Sequence, residues 1–214
     1  FRRKASLASD RRFSARLMDL HPCLFEKTAT PSFDRHYVYH LAWAARCLAK
    51  SKPKEHVDIS SSLYFCSMVS AFLPVKFYDY RPAPLVLDNL ETGHADLTAL
   101  PFKDESIASL SCMHTVEHIG LGRYGDPLDP EGDLKAINEL KRVLAKGGSL
   151  LFVVPVGRPK IHFNAHRIYS YDQVMSYFSD LELKEFALIS MREKDKGLIY
   201  NQKELVEHER IGCG

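Results

Sequence analysis

The sequence predicts an α/β fold with a mostly parallel central sheet and helices on both faces. Three observations carry this. From Glu55 onward, short β-like runs alternate with helical ones, as right-handed βαβ units require. The run Ser149 to Val154 holds no polar residue after Ser149, as expected of a central strand buried on both faces. Polar residues gather just after several of these runs, at the edge where α/β sheets bind ligands. A chain of 214 residues, 45% hydrophobic and 26% charged, is long enough for one globular domain with a real core plus an appendage.

The appendage is residues 1–51, which read as mostly helical. Its best segment runs from Asp34 to Lys50, where Tyr37, Leu41, Ala44, Ala45 and Leu48 recur at helical spacing. Asp34 is a natural N-cap, and Pro53 stops continuation. The α/β domain then spans 52–205. Its expected elements are a strand His56 to Ile59, a helix Leu63 to Phe72, and strands Val75 to Tyr78, Leu85 to Leu90 and Ile107 to Cys112. A helix follows over Leu134 to Ala145, with Leu134, Ile137, Leu140, Val143 and Leu144 on one face. Gly147 is expected to cap it in the left-handed region. After the Ser149 strand come a helix Tyr171 to Phe178, a strand Leu183 to Ile189 and a weakly structured tail, 206–214.

Composition narrows the function classes. Twenty-nine basic against twenty-seven acidic residues leave a net charge of +2, which offers no footprint for nucleic acid or a membrane surface. The first sixteen residues are locally basic (Arg2, Arg3, Lys4, Arg11, Arg12, Arg16), and read as a solvated arm. Five scattered cysteines contain no C-x-x-C pair to hold a metal or redox couple, consistent with a reducing cytoplasm. No apolar run approaches a membrane span, and the start leads into no signal-like core. The chain begins with Phe1 rather than Met, as a fragment or processed product does.

The polar strand ends supply the chemistry. Asp58 closes the first strand and leads into Ser60, Ser61 and Ser62, a turn with no glycine. Three hydroxyls and a helix N-terminus there suit a carboxylate or a ribose; plain N-capping is the competing reading. Asp79 and Tyr80 follow the second strand, and Asp79 lies twenty-one residues after Asp58, near the spacing of an acid that binds ribose hydroxyls. Asp96 and Leu97 lie where an adenine would donate to the carboxylate and stack on the leucine. The three acids mark a nucleoside-shaped path.

These residues resemble a known group. His94-Ala-Asp96-Leu97, Leu100-Pro-Phe102, the strand ending at His114 with Glu117-His118, and Leu140-Lys-Arg-Val-Leu144 before Lys146-Gly-Gly148 look like class I S-adenosylmethionine-dependent methyltransferases. Their fold is Rossmann-like. The resemblance assigns ribose to Asp79 and adenine to Asp96. More narrowly, His118-Ile-Gly-Leu-Gly-Arg-Tyr-Gly-Asp-Pro127 and Phe163-Asn-Ala-His166-Arg-Ile-Tyr169 are similar to a methyltransferase-like family associated with surface-polysaccharide biosynthesis. The clearest departure is the glycine-free turn after Asp58.

The resemblance implies S-adenosylmethionine as cofactor, with Asp58, Ser60, Ser61, Asp79, Tyr80, Asp96, Leu97 and His114 along its path. It implies methyl transfer to a small or saccharide acceptor. His118 is the favoured general base for a hydroxyl acceptor, with Glu117 and His166 as further candidates. Arg123 and Tyr124, on a glycine-rich loop that reads either as a flexible flap or as a structural turn, and Asn164, Arg167 and Tyr169 are expected to contact the acceptor. Two rivals follow from the missing glycines: a methyltransferase-like binding or scaffolding module without turnover, and, further off, a nicotinamide-dependent oxidoreductase, which needs the absent G-x-G-x-x-G. His114 to His118 also spells H-x-x-E-H, the pattern of a zinc hydrolase. That chemistry requires a stable helix, which the preceding strand and the following Gly120 and Gly122 do not favour. No metal ligand is therefore assigned.

Overall fold

Helix α1 (Arg35–Ser51) leads into the sheet. Asp34 caps it by accepting the Tyr37 N–H, and Lys52 ends it in the left-handed region. In this computed structural model, which describes Met18 and residues 20–214, the chain divides into two units, Phe1–Phe33 and Asp34–Gly214. In the first, residues 20–33 form no helix or strand; the basic stretch from Arg2 to Arg16 lies outside the described residues. Helix α1 and the C-terminal residues both fall in the second unit, whereas the sequence reading set them apart from the α/β domain.

Five parallel strands make the sheet: β1 (His56–Ile59), β2 (Val75–Asp79), β3 (Leu90–His94), β4 (Ile107–Met113) and β5 (Leu144–Val153), in spatial order β3-β2-β1-β4-β5. Helix α2 (Leu63–Val69) connects β1 to β2, and α3 (Gly132–Val143) connects β4 to β5. The apolar stripe of α3 (Ala136, Ile137, Leu140, Val143) packs with Val57, Ile59 and Leu110 on one sheet face. On the other, Ala44 and Leu48 of α1 and Phe65 and Val69 of α2 meet Val75, Phe77 and Val153. This is the Rossmann-like, class I methyltransferase architecture.

Past β5 the chain adds shorter pieces. These are β6 (Pro155–Val156), β7 (Lys160–His162), β8 (His166–Ile168), helix α4 (Tyr171–Tyr177), β9 (Ala187–Leu188), β10 (Ile199–Tyr200) and β11 (Gly212–Cys213). Strand β11 runs antiparallel to β6, while Cys213 also exchanges backbone hydrogen bonds with Ile189. Residues 206–214 are therefore not a loose tail: β11 and β6 form a separate two-stranded sheet, and Gly214 exchanges backbone hydrogen bonds with Val154, just past β5.

Three expectations shift. Leu85 to Leu90 is not a strand; β3 begins at Leu90, where pairing with Val75 of β2 starts. Helix α3 stops at Val143 and passes directly into β5, so Gly147 (φ 72) belongs to an irregularity in the β4–β5 register, not to a helix cap. The expected strand Leu183 to Ile189 is regular only at Ala187–Leu188. Among the described residues no helix is long and apolar enough to cross a membrane.

Candidate functional site

The turn after β1 is the first component. Asp58 is fully buried; one carboxylate oxygen accepts the Ser61 N–H at 3.0 Å and the other accepts the Ser111 hydroxyl. Burial pushes its pKa up to about 6, against the opposing pull of the Ser111 and Ser61 hydrogen bonds. Ser111 in turn faces His56 Nε2 at 2.8 Å, and Ser109 faces Nδ1 at 2.8 Å. Because the Ser111 proton goes to Asp58, His56 donates from Nε2 and accepts at Nδ1. Its pKa is lowered to about 4 by burial. Asp58 therefore reaches no ligand directly and instead holds the serine turn from beneath.

The turn itself reaches ligand space without glycine. Ser60 has φ 55, the left-handed backbone that a glycine would otherwise supply. The Ser61 hydroxyl accepts the Met113 N–H at 3.0 Å, and Thr115 donates to the Ser60 carbonyl at 2.8 Å, tying the turn to the end of β4. Beside it lies a cleft of about 290 Å³ lined by Ser61, Leu63, Phe77, Asp79, Arg81 and Ala83. One Asp79 oxygen accepts the Arg81 N–H at 2.7 Å; among the described residues its other oxygen makes no hydrogen bond. Tyr80 is exposed beside His94. Asp96 uses one oxygen to accept both donors of Thr98, while Leu97 is buried in the core.

A second group surrounds His118. Its Nδ1 lies 2.6 Å from the Ala165 carbonyl and 3.2 Å from Arg123 Nη1, and its Nε2 lies 3.8 Å from the buried Glu117 Oε1; donation from Nδ1 to the carbonyl puts the lone pair of the neutral ring on Nε2. Arg123 donates to the same carbonyl at 3.1 Å, and Tyr124 and His166 lie edge-on to the His118 ring. Nε2 of His166 is buried without a partner, and burial lowers that ring's pKa. Asn164 is exposed nearby in sequence. Arg81 after β2 lies 4.9 Å over the Tyr124 ring, so the glycine-rich loop reaches back to the cleft.

Hydrogen bonds brace that loop, as a structural turn requires. Asp126 accepts the N–H groups of Gly120, Gly122 and Tyr124, which together outweigh burial and hold its carboxyl below the usual range. Three other expected ligand contacts turn inward. Glu117 is buried, with one oxygen 2.9 Å from His114 Nδ1 and the other unpartnered. Arg167 donates to the Ile119 and Pro130 carbonyls and pairs with Asp133, whose second oxygen accepts the Tyr169 hydroxyl. A buried guanidinium needs such partners, and both residues brace β8 against α3.

The H-x-x-E-H segment forms a single 3-10 turn, Val116–His118, with His114 outside it at φ 57. The two histidines share no helix face. His114 Nε2 points instead to Cys213 Sγ at 3.1 Å. Desolvation alone lowers its pKa, but contacts with Cys213 and Glu117 raise it well above the usual value. From α1, the rings of His36, Tyr37 and His40 pack against it. The sequence reading missed His36, His40 and Cys213; the one available signal was the i, i+4 spacing of two histidines on a helix.

A family model described as a methyltransferase domain matches residues 44–152, just over half of the chain, including the serine turn and all five sheet strands up to Phe152. The chain belongs to this methyltransferase domain family. A second model, described as Caenorhabditis protein of unknown function, DUF268, matches residues 102–204 of the same methyltransferase chain. No curated protein matches the sequence. Solved structures agree on the fold. A chain from the complex of the Haloferax volcanii Trm112 methyltransferase activator with a methyltransferase is 19% identical, with a TM-score of 0.52 over 85% of this chain and 89% of that one. A protein described as a methyltransferase from Bacillus halodurans is 18% identical, with a TM-score of 0.51 over 77% and 80%.

The methyltransferase domain implies S-adenosylmethionine as cofactor, and the residues present fit it. The φ of Ser60 opens the turn backbone, and a cleft lined by a hydroxyl and the Asp79 carboxylate suits a ribose.

Proposed function

We propose that this methyltransferase domain methylates a hydroxyl of a small or saccharide acceptor, with His118 as general base, as a cytoplasmic enzyme of surface-polysaccharide assembly. The observation that carries the reading is the hydrogen bond from His118 Nδ1 to the Ala165 carbonyl, which leaves Nε2 unprotonated in the neutral ring. When bound, S-adenosylmethionine supplies a sulfonium methyl already activated for transfer. Ser60, Ser61, Asp79, Tyr80 and Asp96 would hold it along the strand ends, with Leu97 and His114 supporting the walls and Asp58 fixing the turn.

The protein's part is then placement and one proton. Nε2 of His118 takes the hydroxyl proton of the acceptor, and the ring stays oriented because Nδ1 keeps its bond to Ala165. Arg123 and Tyr124 on the braced loop, with Asn164, bound the acceptor side and restrict water there. Glu117, whose Oε1 lies 3.8 Å from His118 Nε2, acts as a positioning residue on the base itself, and His166 packs against the same ring.

Transfer of labelled methyl groups from S-adenosylmethionine to a panel of sugars and small alcohols tests this. The His118→Gln variant should bind S-adenosylhomocysteine as the parent does while kcat falls about 10²–10⁴-fold. An unchanged kcat would remove His118 from the chemistry. Cofactor binding with no transfer to any acceptor would favour a binding module.

A further inference from the structure

Beneath the end of β4, three side chains from distant parts of the chain converge on one point. His40 comes from α1, His114 follows β4, and Cys213 lies on β11. Their ligand atoms all lie within 4.8 Å of one another. We propose that His40, His114 and Cys213 bind one divalent transition-metal ion of the zinc class.

Each ring has one nitrogen left over for a ligand. His40 Nδ1 donates to the His36 carbonyl at 2.5 Å, which leaves Nε2 as the lone-pair nitrogen. That Nε2 is buried without a hydrogen-bond partner, in a residue only 2% exposed. A buried acceptor left empty is costly, and a metal would satisfy it. His114 repeats the arrangement: Nδ1 faces Glu117 Oε1 at 2.9 Å and Nε2 faces Cys213 Sγ at 3.1 Å. A carboxylate on the far nitrogen of a histidine is the usual support of a metal-ligating imidazole. Glu117 is itself 1% exposed, and its second oxygen has no partner.

The donor set selects the ion. Two imidazoles and a thiolate suit zinc and its soft neighbours, whereas magnesium and calcium require oxygen ligands. Zinc bond lengths place the ligand atoms of a tetrahedral site roughly 3.3–3.6 Å apart, so the atoms, all within 4.8 Å of one another, must draw together by up to about 1 Å to bind the ion. Binding displaces the proton held between His114 Nε2 and Cys213 Sγ and releases it to solvent, leaving a thiolate and two neutral rings as ligands. Three protein ligands leave a fourth position for water or another small donor. The site does not involve His118, so it differs from the zinc hydrolase pattern, and it is independent of the acceptor proposed above.

The test is metal content and spectroscopy of the full chain, purified under reducing conditions. One equivalent of zinc per chain is expected. After chelation, added cobalt should give the intense visible bands of a tetrahedral site together with a sulfur-to-cobalt charge-transfer band, and magnesium should bind no tighter than to an unrelated surface. Glu117→Gln should weaken zinc binding about 10- to 100-fold; His40→Ala and Cys213→Ser should weaken it further, while Cys66→Ser should not. Circular dichroism establishes that each variant is folded. Absence of the thiolate band in the wild-type protein, or equal metal binding by wild type and the folded His40→Ala and Cys213→Ser variants, would overturn the proposal and leave His114 and Cys213 as a simple hydrogen-bonded pair.

Discussion

At the scale of single residues, polar groups divide into those that hold the backbone and those that face ligand space. Asp58 illustrates the first kind. Its folded pKa of about 6 exceeds the ordinary 3.8, so between those values the folded state binds the proton more tightly than the unfolded state. Its contribution to stability is therefore full below about pH 4 and declines as pH rises to about 6. His56 has the opposite sign: with a folded pKa of about 4, its contribution is lost as pH falls through that value. Asp58→Asn removes only the first effect. Chemical denaturation of the variant and the parent across this range should show the parent losing roughly 2–3 kcal/mol relative to the variant as pH rises from 4 to 6. A constant difference would mean that Asp58 is ionised throughout.

At the scale of elements, the glycine-rich loop behaves as a built part of the fold. Gly120 has φ 78, and a β-carbon there would lie 2.0 Å from the Asp129 carbonyl oxygen. Gly120→Ala should therefore destabilise the domain by roughly 1–3 kcal/mol and displace Arg123 and Tyr124, raising the KM for the acceptor more than it lowers affinity for S-adenosylhomocysteine. Thermal unfolding and steady-state kinetics report the two effects separately; equal changes in both affinities would place the loop over the cofactor instead. The same loop shows what the sequence made legible. Glycine spacing and Asp126 announced a turn, but nothing local announced that Asp126 would gather three N–H groups. Helix α1 was readable down to its Asp34 cap because capping is local chemistry. By contrast, the Leu140 to Leu144 motif and Leu100-Pro-Phe102 were read as family marks. The structure supplies their physical reason: Arg142 donates to the Leu100 and Phe102 carbonyls while Glu139 accepts the Leu100 N–H.

At the scale of the whole molecule, what escaped the sequence was long-range closure. Strand β11 pairs with β6 in a small separate sheet, and it brings Cys213 to a histidine 99 residues away. Two-residue strands carry no periodic pattern, so their partners cannot be read from local composition. Arg167 and Tyr169 were read as acceptor contacts, but sequence distance gave no sign that Asp133 would draw both inward. Asp58 and Asp79 were more accessible as strand-end residues, because strand ends follow from periodicity and the parallel order from βαβ alternation.

The central claim is that this edge holds S-adenosylmethionine with Asp79 on the ribose. Titration calorimetry of S-adenosylhomocysteine into the wild-type protein and Asp79→Ala tests it most directly. The account predicts binding to both, weaker for the variant by roughly 1–3 kcal/mol, the cost of leaving ribose hydroxyls without their charged acceptor. No binding to the folded wild-type protein, or the same affinity for both proteins, would contradict it.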